Sequence, residues 1–374
     1  MKFIDEFRQL APAQALASRI RRWAGPPVNI MEVCGTHTVA IFRHGLRELL
    51  PPQVRLLSGP GCPVCVTSNA EIDKAIALAS DPRVILSTFG DMMKVPGSYS
   101  SLSEAKARGA DIRVAYCAME ALEIARDNPS RDVVFFGVGF ETTAPTTAAS
   151  ILEAERLGLK NYFFLSVHKL IPPAMKALLE AGEVGIDGFL CPGHVSTIIG
   201  SQPYEFIPRD FGIPCVITGF EPVDILQGIA MILEMRAEGK AEVAIQYRSA
   251  VRPEGNPPAV ETMARVFRVD EAEWRGIGII PESGLRLVKG LRSFAAEEHF
   301  KIKTRPARQV AACRCGEVLR GLCTPPECRL FGTGCTPEHP VGPCMVSSEG
   351  TCSAWFLYNP EERRVEMPPV KAGG

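Results

Sequence analysis

The sequence predicts an α/β protein with two parallel-sheet domains and a small loop-rich module at its carboxyl end. Three observations predict it. Short apolar runs alternate with helical stretches between residues 28 and 247, the pattern of parallel strands covered by helices on both faces. The run of strands is too long for one compact open sheet with a single core. The last fifth of the chain carries seven of the thirteen cysteines. Prolines and glycines separate them, so few of its residues suit a helix or strand interior, and bonds to a bound group are expected to replace core burial there.

The elements follow in order. Residues 1–25 have an amphipathic helical pattern that ends at Gly25-Pro26-Pro27. Strands are expected at 28–33, 54–57, 84–86 and 112–115, then at 133–138, 162–167, 188–190, 215–217 and 243–245. Stretches such as 70–79 and 146–157 have helical composition and period between them. An internal echo links Gly139-Phe140-Glu141-Thr142-Thr143 to Gly219-Phe220-Glu221-Pro222-Val223, each after a strand and before a helix. The expected division is a first α/β domain at 28–130 and a second at 131–247, with the seam near Arg131. Residues 1–27 and 248–374 form the remaining helical and cysteine-rich unit, in which 248–280 leads back across the molecule and the cysteine module starts near Ala311.

Bulk properties exclude several function classes. With 374 residues the chain is long enough for two or three domains. It holds 41 basic and 42 acidic residues, with no basic stripe for nucleic acid and no like-charge tail. No apolar stretch is long enough to span a bilayer, and Met1 to Glu6 lack a signal-peptide core. The expectation is a cytoplasmic protein, where thiols stay reduced unless a catalytic pair cycles.

Two cysteine motifs fall at strand ends. Cys34-Gly35-Thr36-His37 follows the first strand, with a helix expected from Thr38. Ligands of parallel α/β sheets sit outside the carboxyl ends of strands, and a thiol there meets the positive end of a helix dipole, which favours thiolate. His37 can assist as base or donor, and the alternative is a buried structural cysteine. Gly59-Pro60-Gly61-Cys62-Pro63-Val64-Cys65 follows the second strand. A C-x-x-C between strand and helix is a redox signature, and Ser68 with Glu71 forms a capping box behind it. Half a zinc site is the alternative for Cys62 and Cys65.

Other positions are less decided. The Gly139 to Pro145 loop fits an anion at a helix start but lacks the P-loop pattern. Glu141 is a proton-transfer group, a positioning group or a capped loop end. His168 and His194 each reach a strand-end region without a firm role, and Cys117 and Cys215 belong to the core. In the tail, Cys323 and Cys328 fit a zinc knuckle, but Cys328, Cys335, Cys344 and Cys352 are separated by six, eight and seven residues. A cluster accepts such spacing because its corners are reached from separate loops. Cluster, zinc and neither all stay open on spacing alone.

Together these motifs resemble the HypD family of hydrogenase maturation factors. The resemblance rests on Cys34 to His37, Gly59 to Cys65, Gly139 to Pro145 and a tail. That tail reads Pro326-Glu327-Cys328, Leu330 to Pro337, Gly342 to Ser347, and Glu349-Gly350-Thr351-Cys352. It implies two α/β domains with a cleft and a third, iron–sulfur domain with a [4Fe–4S] cluster on Cys328, Cys335, Cys344 and Cys352. Cys34 is then the ligand of an iron that gains cyanide and carbon monoxide, the Fe(CN)2CO unit of [NiFe]-hydrogenases. A thiolate from a HypC-type chaperone completes that site and a HypE-type protein donates cyanide, on the way to the hydrogenase large subunit. Cys62 and Cys65 pass electrons from the cluster as a thiol–disulfide pair, His37 orients or protonates near Cys34, and Glu141 lies in the same cleft. The protein is then a redox-active scaffold rather than a turnover enzyme. The alternative is an iron–sulfur disulfide reductase, similar in logic to ferredoxin–thioredoxin reductase, which has no use for Cys34. Cys313, Cys315 and Cys323 receive no role.

Overall fold

A computed structural model describes residues 10–359 and 361. All nine expected strands form: β1 (Val28–Glu32), β2 (Val54–Ser58), β3 (Val84–Thr88), β4 (Ile112–Val114), β5 (Asp132–Gly139), β6 (Tyr162–His168), β7 (Gly188–Pro192), β8 (Cys215–Thr218) and β9 (Val243–Ile245). They make two wholly parallel sheets, ordered β2-β1-β7-β8-β9 and β4-β3-β5-β6. Every residue of β3, β6 and β7 is buried, as expected of strands with helices on both faces. The echoed loops follow β5 and β8, one in each sheet.

The sheets do not divide the chain at Arg131, which corrects the expected 28–130 and 131–247 split. The chain leaves the first sheet after β2, builds the whole second sheet, and returns through the helix Ile171–Ala181 to add β7, β8 and β9. A seam at 131 would part β4 from β5, yet both pair with β3. Hydrophobic period marks a strand; it carries no record of which strand it pairs with.

This threading gives each sheet a reversal of strand order. In the first sheet it falls between β1 and β7, in the second between β3 and β5. Crevices at such points receive ligands in open α/β sheets. The first crevice has the Cys34 motif at one lip and Gly193-His194 at the other.

The helix at the amino end spans Leu10–Arg21, buries Ala17 and Ile20, and packs on the helix Pro222–Ala237; the rest of the expected 1–25 helix before Leu10 lies outside the described residues. Residues after 248 hold an antiparallel hairpin that the sequence did not suggest, β10 (Phe267–Trp274) and β11 (Gly278–Leu287). Asp270, Glu271 and Glu273 made β10 read as irregular. Its tip docks between the two sheets and the cysteine module, through an isolated bridge from Trp274 to Thr67.

The cysteine module is less coil-like than expected. It contains helices Cys315–Leu319, Pro343–Val346 and Thr351–Tyr358 and an apolar cluster of Phe331, Met345, Ala354 and Trp355 around Phe42. Trp355 and Phe42 lie 4.9 Å apart, and the Arg47 guanidinium covers both rings at 5.0 and 4.7 Å. The module is therefore seated on the helix that starts at Cys34. Among the described residues, no helix is long and apolar enough to cross a membrane.

Candidate functional site

Cys34 follows β1 by two residues, still in extended conformation, and the helix Gly35–Arg43 starts immediately after it. That start is three residues earlier than expected and puts Cys34 itself at the cap position. Two other motifs close over it. The carbonyl of Gly61 accepts from the Gly35 amide at 3.0 Å, and that of Glu32 from the Gly59 amide at 2.8 Å. A Cβ on Gly61 would lie 2.2 Å from the Cys34 nitrogen, and one on Gly35 would lie 2.5 Å from the Glu349 Cβ. The Thr36 hydroxyl donates to Glu349 at 2.8 Å. The three motifs, more than 280 residues apart in the chain at their extremes, thus meet backbone to backbone around one thiol. Glycines at 35 and 61 are what allow it.

The electrostatics of this thiol correct the expectation of a thiolate. Burial pushes Cys34 up to about 12; the Glu349 and Glu32 carboxyls push the same way, against the amides of His37 and Thr36. Desolvation outweighs the helix terminus here. Glu32, which sequence reasoning missed, lies beneath it. Its carboxyl accepts from the Thr38 hydroxyl at 2.6 Å and the Cys34 amide at 3.3 Å, and burial raises it to about 8. An acidic residue among the apolar positions of a parallel strand was the available signal.

His37 is buried, with Nε2 2.9 Å from the Gly219 carbonyl and 3.0 Å from the Thr218 hydroxyl. A carbonyl only accepts, so Nε2 carries the proton. Nδ1 is a buried lone pair without a hydrogen-bond partner, and burial lowers the ring to about 4. No recorded hydrogen bond joins the ring to the Cys34 thiol. Phe220 stands between His37 and His194, at 4.9 and 3.9 Å between ring centres. The echoed loop after β8 thereby lines the first crevice.

Linkage gives a testable slope. Between the ordinary carboxyl value of 4.5 and about 8, the folded chain keeps the Glu32 proton and the unfolded chain has lost it. Stability from this group is therefore full below 4.5 and lost as pH rises through 8. His37 acts oppositely: its contribution is present above 6.5 and lost as pH falls through about 4. Glu32→Gln should flatten the fall in melting temperature between pH 5 and 8, leaving the part due to Glu141, whose carboxyl burial raises to about 7. An unaltered slope in Glu32→Gln would show that Glu32 is ionised in the native state.

Cys62 and Cys65 are joined as a disulfide across the one-turn helix Pro63–Val66, with Cα atoms 5.3 Å apart. The Cys65 amide points at the Cys62 sulfur at 3.2 Å. Ser68 and Glu71 form the expected capping box of the next helix, Asn69–Ala79. Glu71 also takes the ammonium of Lys169, buried at 3.0 Å, which ties this turn to the second sheet.

Glu141 and His168 belong to the second sheet. One Glu141 oxygen accepts from the Ile171 amide at 2.9 Å while the other is buried without a partner. His168 meets the Thr143 hydroxyl at 3.2 Å. No recorded hydrogen bond brings either residue to Cys34 or His37. Cys215 is buried as expected, against Cys191 of the neighbouring strand, and Cys117 is half-buried.

In the module, Cys328, Cys335, Cys344 and Cys352 line one cavity, and Cys313 and Cys315 line it too. Its other walls are Arg314, Gly342 and the apolar Val318, Leu330, Phe331 and Met345. Cys315 is in hydrogen-bonding contact with Cys313 and Cys344, and Cys344 with Cys352. The Val341 amide donates to the Cys335 sulfur at 3.3 Å. Among the described residues, no three His, Cys, Asp or Glu groups close on a point suited to one metal ion. A thiol-lined, apolar-walled cavity fits a cluster, whose several irons are reached from separate loops. The Cys65 sulfur lies 4.0 Å from the carbonyl of Pro343, the residue before Cys344, so the disulfide adjoins the cavity wall.

A family model described as "HypD: Hydrogenase formation hypA family" matches residues 11–359. The chain is 50% identical over 367 residues to the hydrogenase expression/formation protein HupD of Azotobacter chroococcum, covering 96% of this chain and 97% of that one. It is 49% identical to the hydrogenase maturation factor HypD of Azotobacter vinelandii, with 98% and 99% covered. To the HypD of Escherichia coli it is 46% identical, with 97% and 99% covered.

Proposed function

The chain belongs to the HypD family of hydrogenase maturation factors, and from that premise we propose that it is the scaffold on which an iron centre gains its cyanide and carbonyl ligands. The observation that carries the reading is the packing of the Cys62–Cys65 turn and of the Glu349 segment onto Cys34 at the strand-order reversal of the first sheet. Cys34 binds the iron. Its proton leaves when the metal bonds to sulfur, since a cation replaces the proton on a thiol that burial keeps neutral. A thiolate is a soft ligand suited to low-valent iron carrying such ligands. By the family resemblance a HypC-type chaperone supplies the other thiolate, and a HypE-type protein supplies cyanide. The neutral imidazole of His37 braces the loop after β8 through Gly219. Glu141 is a buried proton-holding group of the second sheet, offered for the same cleft by the family resemblance.

The cavity of the cysteine module is proposed to hold a [4Fe–4S] cluster, which supplies electrons singly when bound. The residues reduce and reoxidise around it: Cys62–Cys65 accepts two electrons and two protons as its S–S bond breaks. Two ligand sets fit the cavity. One is Cys328, Cys335, Cys344 and Cys352. The other exchanges Cys344 for Cys313, and the contact between the deeply buried Cys315 and Cys344 favours it, because these two then form a second dithiol between cavity and disulfide.

Anaerobic purification tests the reading. The protein should be brown with about four irons and four sulfides per chain, and should restore hydrogenase activity to a bacterium lacking its own HypD. Cys328→Ala, Cys335→Ala and Cys352→Ala should lose the colour under either set. Cys344→Ala and Cys313→Ala separate the sets: the first bleaches only the set with Cys344, the second only the set with Cys313. A colourless protein with one zinc would refute the cluster, and reduction of protein disulfides without any rescue would favour the iron–sulfur reductase.

A further inference from the structure

The tip of the β10–β11 hairpin joins the two cysteine-bearing parts that the proposed electron path must connect. Arg275 is buried there, 7% exposed. Its Nε donates to the Thr67 carbonyl at 2.8 Å and Nη2 to the Pro96 carbonyl at 3.1 Å. Its amide donates to the Val66 carbonyl at 2.9 Å, so two of the three bonds from this one residue hold the chain directly after the Cys62–Cys65 turn, and the third ties that point to Pro96. The next residue, Gly276, meets the module: a Cβ on it would lie 2.3 Å from the Gly316 Cα, and Gly316 follows Cys315. On the other side Trp274 stacks on Phe140 with ring centres 6.0 Å apart. Arg275 also lines a small cavity together with Cys313 and Cys315. A guanidinium keeps its charge when buried, so this is a fixed cation between the disulfide turn and the thiol cavity. The family resemblance assigned nothing to this hairpin.

We infer that Arg275 is the positioning residue that clamps the Cys62–Cys65 turn against the Cys315 helix, so that electrons leaving the cysteine cavity reach the disulfide. The inference rests on the cluster reading above. The step is a two-electron reduction of the Cys62–Cys65 disulfide: its S–S bond breaks and two protons from water complete two thiols, with the electrons coming from an external one-electron reductant by way of the cluster that the cysteine cavity would hold. Electron transfer depends steeply on how closely donor and acceptor are held. A clamp made of three hydrogen bonds and a glycine-to-glycine contact fixes that approach more tightly than side-chain packing alone.

The experiment compares two routes of reduction in the full-length, cluster-bearing chain. Dithionite refills the cluster, and alkylation of Cys62 and Cys65 is followed in time. Dithiothreitol then reduces the same disulfide directly, to equilibrium, without the cluster. Arg275→Met should slow thiol appearance by the cluster route at least tenfold and leave the dithiothreitol equilibrium within about twofold of the unaltered chain. Arg275→Lys, which keeps the charge and one donor to the turn, should recover part of the rate. Should Arg275→Met lose its colour or fold, Arg275→Lys carries the test, because a rate equal to the unaltered chain in a variant without the forked contact overturns the clamp. An unchanged cluster-route rate in Arg275→Met overturns it directly. So does an equilibrium shifted as far as the rate, since Arg275 would then set disulfide stability rather than the route. Absence of any cluster in the unaltered chain overturns the underlying reading as well, and is told apart by the missing colour.

Discussion

Cys34→Ala should abolish the cyanide and carbonyl infrared bands of the chain purified with its small partner, and with them all rescue of hydrogenase activity. The loss is expected to be complete, because Cys34 is the proposed iron-holding thiolate of this chain and the neighbouring Cys62 and Cys65 are joined to each other as a disulfide. His37, the other donor in the motif, keeps a buried Nδ1 lone pair, but a neutral imidazole is a harder ligand than a thiolate and suits low-valent iron less well. The brown colour of the cysteine module should survive, since its cavity is lined by six other cysteines. Stability should change little beyond the loss of one buried sulfur, about 1 kcal/mol, as Cys34 makes no side-chain cap bond. Cys34→Ser should rescue little: a hydroxyl is a harder ligand and gives up its proton less readily than a thiol. Bands and maturation persisting in Cys34→Ala would remove the central step of the mechanism.

The strands were legible because each is a short, mainly apolar run, and all nine form where that pattern put them. Their assignment to sheets was not legible. Pairing between β1 and β7 joins residues about 160 apart, such as Glu32 and Leu190, and no local pattern encodes so distant a partner. The site was legible as separate motifs with the local structure expected of them, the capping box at Ser68 and Glu71 and the C-x-x-C turn among them. What escaped was whatever depends on burial. A thiol at a helix start reads as a thiolate, yet the surrounding chain removes the water that would solvate its charge. Glu32 read as one residue of a strand, and only the fold puts its carboxyl under Cys34. The hairpin tip escaped for a different reason. Its charged residues face solvent on one side of β10 while Trp274, Arg275 and Gly276 do their work in the turn, where neither period nor propensity marks them.

Gly61→Ala should be among the most damaging single substitutions outside the cysteines. Its added methyl would stand 2.2 Å from the Cys34 nitrogen, 2.4 Å from the Val33 carbonyl carbon and 2.5 Å from the Cys34 Cα. All three are backbone atoms of the strand end, so no side chain can rotate away to make room. Gly61 is also held from both directions, its amide on the Gly59 carbonyl at 2.8 Å and its carbonyl on the Gly35 amide at 3.0 Å. Either the loop lifts and gives up the Gly35 bond, or Cys34 and its helix move. Overpacking of this kind costs about 3 kcal/mol or more when only backbone is available to shift. Both outcomes displace Cys34 relative to Cys62, which follows Gly61 directly, so maturation should fall even in protein that remains folded. Gly290→Ala is the matched control, because a Cβ there has nothing within 4 Å and should change stability by less than about 0.5 kcal/mol. The comparison is read by urea unfolding of both variants and by rescue of hydrogenase activity. If Gly61→Ala unfolds at the same urea concentration as Gly290→Ala and matures hydrogenase fully, the close approach of the two motifs is not needed for the site to work.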